Sequence, residues 1–435
     1  MTRHRSPAAT ATRLGLAAAL AVPVAAHATG FALREGSADW MANAFAGETA
    51  KAYDASTVFA NPAGMVRLHA NEIDGSINGI FPNLSFSGAN FEGPGVETSG
   101  TQGKNLIQSA ATGAAFAVWD FLPRVKFGIS VTEPFGQRVA NPADFVGRYQ
   151  SLVSSITDIN VSIAAGIAID RHFSIGFGPV IDYFHSRLTQ AINTGPTAAI
   201  TGDPVADLHG SDTAAGFNVG GLYQVDDGLR FGLDYHSRIT HRIDGTQSIF
   251  VPPTLALLSP QTAALLSALN ASASTSITLP DNLAGGVYWQ ATPKLALMSD
   301  VQWTDWSLLK SLVVTPENGA PQTIMPENWR NTWFAAVGAS YRVLPELLLQ
   351  TGFAYDQSPV RDADRTTRVP DSDRYDLAAG LTYNIAPNAD LMLGYVHTFF
   401  ANAPITSAAS ATSGEIVGKY AISADSVSLG ARLRF

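Results

Sequence analysis

The end of the chain alternates apolar and polar side chains from residue 427 up to the aromatic residue that carries the terminal carboxylate. Successive side chains of a β-strand point to opposite faces, so the apolar side chains would share one face here. They are Val427, Leu429, Ala431, Leu433 and Phe435. Such a strand is unusual for a soluble core. It suits the closing strand of an outer-membrane barrel, which has an apolar lipid face, a polar lumen and aromatic girdles.

The start of the chain indicates export. Arg3, Arg5 and Arg13 precede an apolar stretch that runs to residue 26, and the small residues Ala26 and Ala28 fit a signal-peptidase site. We therefore predict a signal peptide over residues 1–28, cleaved after Ala28. No later stretch reaches the roughly 20 apolar residues that a transmembrane helix requires. The exported protein is expected to be either periplasmic or a barrel of the bacterial outer membrane.

Composition narrows the function classes. Only 14% of the residues are charged, against about a quarter in soluble domains. The formal net charge is −9, and cleavage of the signal peptide would remove three arginines and make the net charge more negative. Nucleic acid is therefore not expected as a partner, because no basic face is available to replace phosphate counterions. The absence of cysteine excludes disulfides, thiolate metal sites and cysteine nucleophiles.

Apolar side chains recurring with a period of two predict about 14 strands after residue 70. Polar residues at the alternate positions, such as Arg230, Asp234 and Asp300, would face a lumen. Turn residues mark six short connections, at 122–124, 170–172, 226–228, 291–293, 344–346 and 386–388. Six short turns opposite long loops are typical of a bacterial barrel. A soluble β-sandwich also alternates, but its apolar face would be the interior one, and seven Trp would be hard to place there.

Two regions do not have the pattern of strands. Residues 29–68 are rich in Gly and Ala with little alternation, which predicts a compact, partly helical hatch that plugs the lumen. The loop 251–274 carries leucines on the side that should meet water, and Ser259 and Pro260 suit the start of a helix within it. These leucines either pack beneath a lid or form a landing site for an apolar ligand. The candidates for ligand contact are Leu255, Leu258, Leu265, Leu266 and Leu269.

At this point the residues carry a family resemblance. Ordered blocks along the whole mature chain resemble the FadL family of outer-membrane transporters for hydrophobic compounds. They lie at 30–35, 55–65, 132–136, 147–149, 279–282, 303–307, 356–360 and 369–374. A single block such as Asn61-Pro62-Ala63 is a weak signal, whereas the ordered set is specific.

The resemblance implies an all-β fold, a 14-stranded antiparallel transmembrane barrel over residues 69–435, plugged by the hatch. Hatch residues that match the family's blocks are Phe31, Leu33, Asn61, Pro62 and Ala63. The family takes up long-chain fatty acids or other hydrophobic molecules without an energy-coupling partner, and relatives of similar appearance handle toluene-type aromatics. The ligand passes from a groove between the outer loops to a pocket beside the hatch. It then leaves sideways at a kink in the third strand.

The resemblance places the kink at Pro134, Phe135 and Gly136. Proline removes a donor from the ladder and glycine loosens the backbone, so pairing with a neighbouring strand should fail locally. From the residues alone, an ordinary strand end entering a loop over 137–153 is an equal alternative. The resemblance favours the lateral gate.

The head group of a fatty acid would require a cation. Lys310 lies an even number of positions from Asp300 and Thr304, and Arg148 lies an even number of positions from Asp158. Both would therefore face the lumen if no bulge intervenes, and both are candidates for contact with the head group. Either could instead be a solvated charge at the rim. The family's basic residue beyond the Trp-x-x-Trp-Ser block is replaced here by an apolar residue, which puts the preference for a carboxylate in doubt.

Other functions are weaker alternatives. A porin would have a charged, water-filled pore, and the predicted hatch would block such a pore. An outer-membrane lipase would need to assemble a triad from scattered residues such as His185, His236 and His397, and no catalytic, phosphate-binding or calcium-binding motif is present. We expect no enzymatic activity, cofactor or metal. The expected partners are the hydrophobic ligand, outer-membrane lipid and, during biogenesis, the barrel-assembly machinery, with the protein itself a monomer.

Overall fold

The computed structural model describes residues 30–93, 96–408, 410 and 412–435. The predicted signal peptide and its cleavage site lie outside these residues. None of the helices in the described ranges is both long and apolar enough to cross a membrane.

The described chain forms a closed antiparallel barrel of 14 strands. The first seven are β1 Glu72–Gly93, β2 Ala110–Leu122, β3 Val125–Thr132 with Gly136–Ala140, β4 Val153–Ala168, β5 Phe173–Ala191, β6 Val205–Gln224, and β7 Leu229–His236 with Ile239–Phe250. The others are β8 Ala271–Leu279 with Asn282–Gln290, β9 Leu295–Thr304, β10 Thr332–Leu344, β11 Leu347–Asp356, β12 Arg374–Ala386, β13 Ala389–Phe400 and β14 Glu415–Arg434. Each strand pairs with its neighbours in sequence.

The two terminal strands close the barrel. β1 pairs with β14 from Glu72 opposite Arg434 to Phe91 opposite Glu415. Closure removes both sheet edges, which hydrocarbon would otherwise leave without hydrogen bonds. Leu429 and Phe435 are exposed on the outer face, whereas Ser428 is buried on the inner one. The closing strand predicted from the terminal alternation is therefore confirmed.

The six predicted short turns join β2 to β3, β4 to β5, β6 to β7, β8 to β9, β10 to β11 and β12 to β13. The opposite ends of the strands are joined by long loops. These loops contain α3 Ala198–Thr201, α4 Pro253–Leu258, α5 Pro260–Ser267 and three-residue 3₁₀ turns at Gly195–Thr197 and Trp306–Leu308. They also contain the short strands Val96–Glu97, Ser311–Pro316, Thr323–Pro326 and Ala403–Thr406.

Residues 30–68 form the hatch inside the lumen. They contain α1 Ala38–Ala42, α2 Thr57–Ala60 and the 3₁₀ helix Pro62–Arg67. The hatch buries Met41 and Val58 against small inward side chains of the barrel, such as Ala336 and Ala354. Close approach also depends on glycine, because a Cβ at Gly176 would collide with the backbone of residues 62–63, and one at Gly352 with the carbonyl of Asn43.

Polar side chains fix the hatch to the wall. Lys51 Nζ lies 2.7 Å from a carboxylate oxygen of Asp39, and Gln350 of β11 donates to the same carboxylate at 2.8 Å. Asp300 of β9 accepts hydrogen bonds from the backbone of Gly47 and Thr49. The buried charges of Lys51, Asp39 and Asp300 are thus paired or hydrogen bonded.

The structure corrects three sequence predictions about segment boundaries. The segment 137–153 is not one loop, because β3 resumes at 136–140, β4 begins at Val153 and only residues 141–152 connect them. The loop after β7 ends earlier than predicted, since β8 begins at Ala271. This loop contains two helices rather than one, with α5 starting after Ser259 as predicted and α4 preceding it.

Candidate functional site: a cavity beside a break in the third strand

An internal cavity of about 140 Å³ lies between the hatch and the barrel wall. Its apolar lining comes from the hatch, from the interruption of β3, from strands β5, β7 and β8, and from the loop after β9. The lining includes Leu33, Trp40, Phe59, Pro134, Phe135, Val180, Ile239, Leu279 and Trp306. Polar and charged side chains complete the lining, and concave sites that combine apolar walls with polar groups are the usual form of a small-molecule site.

The ladder between β2 and β3 is interrupted beside this cavity. β2 and β3 pair from Leu122 opposite Val125 to Ala115 opposite Val131, and there the pairing stops. Residues 110–114 of β2 continue to pair with β1, while β3 is interrupted between Thr132 and Gly136. We call the space between residues 110–114 and residues 133–136 the lateral window. The interruption lies at the residues where the sequence suggested it.

The start of the hatch fills the lateral window. The Leu33 amide donates to the carbonyl of Pro134 at 2.7 Å, and the Gly136 amide donates to the carbonyl of Phe31 at 2.8 Å. Ala32 and Phe135 are thereby paired as antiparallel neighbours. Residues 31–33 take the place of the missing β2 partner of β3 at this point.

Four aromatic side chains hold this segment in place. The ring of Phe31 lies 4.9 Å from that of Trp306, 5.4 Å from that of Trp329 and 5.9 Å from that of Phe135. Trp306 and Trp329 are themselves 5.0 Å apart, in an edge-on arrangement that favours aromatic pairs. Phe31, Phe135, Trp306 and Trp329 form the aromatic cluster. It joins the hatch, β3 and the loop 305–331 at the window.

A carboxylate anchors the chain just before the cluster. Asp371, in the loop 357–373, accepts hydrogen bonds from the Gly30 amide at 2.9 Å and from the Ser358 hydroxyl at 2.6 Å. Burial raises the pKa of Asp371 to about 6. The segment that closes the window is thus held from both the hatch side and an outer loop.

The cation that borders the cavity is Arg34 of the hatch. Its Nε lies 3.2 Å from Asp356 Oδ2, its Nη1 donates to Gln302 at 3.0 Å, and its guanidinium lies 3.7 Å from the centre of the Phe334 ring. Acidic residues are more numerous along the same lining: Glu48, Glu133, Asp234 and Asp356. The cavity therefore has little excess positive charge with which to attract an anion.

Neither predicted head-group residue borders the cavity. Lys310 is exposed in a loop, since β9 ends at Thr304 and the 3₁₀ turn at 306–308 breaks the parity used for its prediction. The placement of Lys310 in the lumen was therefore wrong. Arg148 is buried between loops, with Nε 2.7 Å from Asp203 Oδ2 and Nη1 donating to the carbonyl of Ser99 at 2.7 Å. Its contacts indicate a structural role in joining three outer loops, and a head-group role stays a prediction.

The leucines of the loop 251–270 divide into two groups. Leu255 is 1% exposed and packs inward, whereas Leu258 is 65% and Leu265 is 67% exposed. Leu266 and Leu269 are half-buried. Leu257, which was not among the candidates for ligand contact, is also exposed. An apolar surface is therefore present on the two helices, although Leu255 is not part of it.

The predicted hatch residues line two different regions. Phe31 and Leu33 lie at the window, whereas Pro62 and Ala63 pack on the glycines of β4 and β5. Asn61 is buried and donates to the carbonyls of Thr49 at 2.7 Å and Gly221 at 3.1 Å. Sequence reasoning missed Arg34, Trp329 and Asp371 as parts of the site. Arg34 and Asp371 lie within family blocks and Trp329 lies outside them, and nothing in the local pattern shows that the fold brings the three together.

The comparisons with known proteins agree with this geometry. Residues 19–435 match the family model described as outer membrane protein transport protein (OMPP1/FadL/TodX). A putative outer membrane protein of Neisseria meningitidis is 29% identical over 85% of this chain and 86% of its own length. A long-chain fatty acid transport protein of Escherichia coli is 26% identical over 89% of this chain and 91% of its own length.

Solved structures show the same fold. A FadL homologue from Pseudomonas aeruginosa superposes with a TM-score of 0.84 at 23% identity, covering 93% of this chain and 100% of that one. The toluene transporter TbuX of Ralstonia pickettii superposes with a TM-score of 0.66 at 16% identity, covering 92% and 99%. The chain belongs to the OMPP1/FadL/TodX family of outer-membrane transport proteins, and it is a transporter of hydrophobic compounds rather than an enzyme.

Proposed function

We propose that this protein takes up long-chain fatty acids, or hydrophobic molecules of similar size, by passive diffusion and releases them through the lateral window. The observation that carries the proposal is the pairing of residues 31–33 with the interrupted strand β3, directly beside the cavity. A ligand that enters the cavity competes for the space of Leu33, which lines it. Displacing this segment would open the wall toward lipid.

A lateral route is favoured by hydration. An apolar chain that leaves through the periplasmic end must be hydrated, at a cost of about 0.8 kcal/mol for each CH₂ group. A chain that passes through the wall stays out of water. Small residues line the β2 side of the window, where residues 110–114 read Ala-Ala-Thr-Gly-Ala. The opening would therefore not require large side chains to move on that side.

The outer loops offer a first contact for the ligand. Leu257, Leu258 and Leu265 present exposed apolar side chains on α4 and α5. Exposed apolar surface on a loop that faces water is a usual mark of a binding surface. We propose that these leucines collect the ligand, which then passes inward to the cavity.

Aromatic hydrocarbons are a second candidate. The cavity of about 140 Å³ is close in size to an apolar cavity of about 150 Å³ that holds benzene in another protein. Its lining carries more carboxylates than cations, so a neutral ligand would avoid the charge repulsion that the carboxylate of a fatty acid would meet there. A long acyl chain would require residues 31–33 to move, whereas a monoaromatic ring would not. The relatives named as fatty acid transport proteins, which align over most of the chain, favour the first candidate.

A disulfide lock tests the lateral route. The chain has no cysteine, so Ala32→Cys combined with Phe135→Cys introduces a single possible pair. Ala32 and Phe135 form a non-hydrogen-bonded antiparallel pair, because the two hydrogen bonds are made by the residues on either side of them. In such a pair the Cα atoms lie about 4.5 Å apart, and a disulfide can form. We expect uptake of labelled oleate to be lost when the pair is oxidised and to return after reduction.

The two single-cysteine variants serve as controls under the same oxidant. Labelled toluene is measured in parallel, since its uptake distinguishes the two ligand candidates. Undiminished oleate uptake by the fully oxidised double variant would show that residues 31–33 need not leave the window, and the lateral route would then be rejected.

A further inference from the structure

A carboxylate–histidine cluster lies in the barrel wall beside the lateral window, outside the cavity lining. It consists of Asp158 on β4, Asp182 on β5 and His241 on β7. One ligand atom from each lies within 4.8 Å of the others. We propose that this cluster binds a divalent transition-metal ion of the zinc type. The sequence led us to expect no metal site, because the three residues are far apart in the chain and form no motif.

All three side chains are buried. Asp158 is 1% exposed, and Asp182 and His241 have no exposed surface. Within the described ranges, neither aspartate has a lysine or arginine as a salt-bridge partner. Two adjacent carboxylates in such a position repel each other, and a divalent cation is the group that would neutralise both.

Asp158 is the observation that points to a missing ligand. Among the residues that the structure describes, both of its carboxylate oxygens are buried and neither accepts a hydrogen bond of normal geometry, although the Phe135 amide lies nearby. It lies next to the Asp182 carboxylate. It also lies where β3 is interrupted, between Thr132 opposite Asn160 and Gly136 opposite Thr157. Buried polar atoms are rarely left unpaired, and binding of an ion is one of the standard explanations for such atoms.

His241 is oriented as a metal ligand. Its Nδ1 lies 3.1 Å from Asp212 Oδ2, and its Nε2 lies 3.1 Å from Asp182 Oδ1. A histidine that binds a metal through one ring nitrogen commonly donates from the other to a carboxylate, which fixes the tautomer and the ring plane. Asp212 would have this supporting role, with Nε2 left to face the ion.

The spacing of the donors fits a small ion. Zinc lies about 2.0–2.2 Å from histidine nitrogen and carboxylate oxygen. Two such donors separated by 3.1 Å would subtend an angle of about 100° at the ion, close to tetrahedral. Asn160 donates to the second oxygen of Asp182 at 2.7 Å, which orients that carboxylate. The three protein ligands leave one position for water.

The choice of metal follows from the ligands. Imidazole favours zinc, copper, iron or nickel, whereas calcium and magnesium prefer sites made only of oxygen donors and take six or more of them. One imidazole and two carboxylates therefore select a transition metal over calcium. A competing explanation for the cluster is a proton shared by the two aspartates, with no metal bound.

Metal binding is measured directly on the purified barrel. The protein is prepared in detergent with a tag that contains no histidine, stripped with chelator and dialysed against Zn²⁺ or Ca²⁺, and bound metal is counted by mass spectrometry. We expect one Zn²⁺ per chain and no stoichiometric Ca²⁺. Replacement by Co²⁺ should give the absorption bands of a near-tetrahedral site. Transport is not part of the assay, so its result is independent of the proposed route.

Variants assign the site. Asp158→Asn and His241→Gln should each weaken Zn²⁺ binding at least tenfold, and Asp212→Asn by about 10- to 100-fold as a supporting residue. His397→Gln is the matched control, because His397 also pairs with a carboxylate, Asp425, at 2.8 Å. Folding of each variant is checked by heat-modifiable mobility on gels.

Absence of stoichiometric Zn²⁺ in the wild-type protein would overturn the proposal in favour of the shared proton. Zn²⁺ binding that persists in folded Asp158→Asn and His241→Gln would equally overturn it, by placing the metal elsewhere. Where a variant fails to fold, wild-type stoichiometry and the Co²⁺ spectrum still decide between metal and proton.

Discussion

Phe31 offers the sharpest test of how the lateral window is held shut. Its side chain is 2% exposed and touches the three other members of the aromatic cluster, with ring centres 4.9 to 5.9 Å away. Truncation of a buried phenylalanine to alanine costs about 3–5 kcal/mol. The contacts of Phe31 are made in the closed state and are lost when residues 31–33 leave the window. Phe31→Ala should therefore shift the equilibrium toward the open state.

The size of the shift follows from the lower end of that range. A loss of about 3 kcal/mol, at about 1.4 kcal/mol for each factor of ten, raises the ratio of open to closed states by roughly 100-fold. The segment can be followed through Ala32→Cys, which is the only thiol in an otherwise cysteine-free chain. Its rate of labelling by a maleimide reports the open population. Because Ala32 is already half-buried rather than fully buried, we expect an observed rise of at least tenfold.

Two controls define the result. Phe31→Leu keeps most of the buried volume, so its effect should stay below about 1.5 kcal/mol, or about tenfold. Phe353→Ala removes a phenylalanine that is exposed on the outer face and should leave labelling unchanged. A labelling rate in Phe31→Ala equal to that of the parent would refute the reasoning. The backbone pairing at Pro134 and Gly136, rather than the aromatic cluster, would then hold the segment.

Three further predictions follow from other parts of the molecule. Leu258→Ser with Leu265→Ser should slow uptake at limiting ligand without lowering the amount of barrel, and unchanged uptake would instead favour a lid function for the loop. Leu429→Arg should reduce the yield of inserted barrel more than Leu433→Arg, because we expect Leu429 near mid-membrane and Leu433 near the interface. An arginine on the lipid face costs about 2–4 kcal/mol at mid-membrane and about 0–1 kcal/mol near the interface. Equal yields would contradict these positions. Burial raises the pKa of Glu327 to about 7, so the folded loop binds a proton more tightly than the unfolded chain does. The loop should therefore lose stability as the pH rises from about 4.5 to about 7. Proteolysis of this loop, measured relative to Glu327→Gln at each pH, should accelerate over that window, and a constant ratio would exclude the effect.

Much of the fold is predictable from the chain because barrel strands obey a local rule. Side chains alternate between lipid and lumen, and this pattern identified the closing strand, the polar lumen positions such as Asp234 and Asp300, and the six short turns. Pro134 and Gly136 weaken pairing through their own backbone chemistry, but the residues alone left an ordinary strand end equally open, and the family resemblance was needed to favour a break in β3. The small residues of the hatch likewise indicated a segment that is not part of the barrel.

The rule fails where a strand ends. Lys310 was assigned to the lumen by parity, but β9 stops at Thr304 and the 3₁₀ turn that follows reorients the chain. Arg148 belongs to a loop, where parity has no meaning and its partner is Asp203, 55 positions away. Leu255 and Leu258 lie in the same short helix, yet only the packing of that helix decides which one is buried.

The sequence by itself determined that this protein is exported, that it forms a plugged outer-membrane barrel and that its third strand is weak at Pro134. Those properties depend on local composition and on a period of two, which need no knowledge of distant neighbours. Only the tertiary structure decided what fills the window and which groups meet in the wall. Phe31 finds its partners in β3 and in a loop some 300 residues away, and Asp158, Asp182 and His241 converge from three strands. Contacts of this kind arise from the register and closure of the barrel. Register and closure bring together residues that are far apart in the sequence and that no local pattern links to each other.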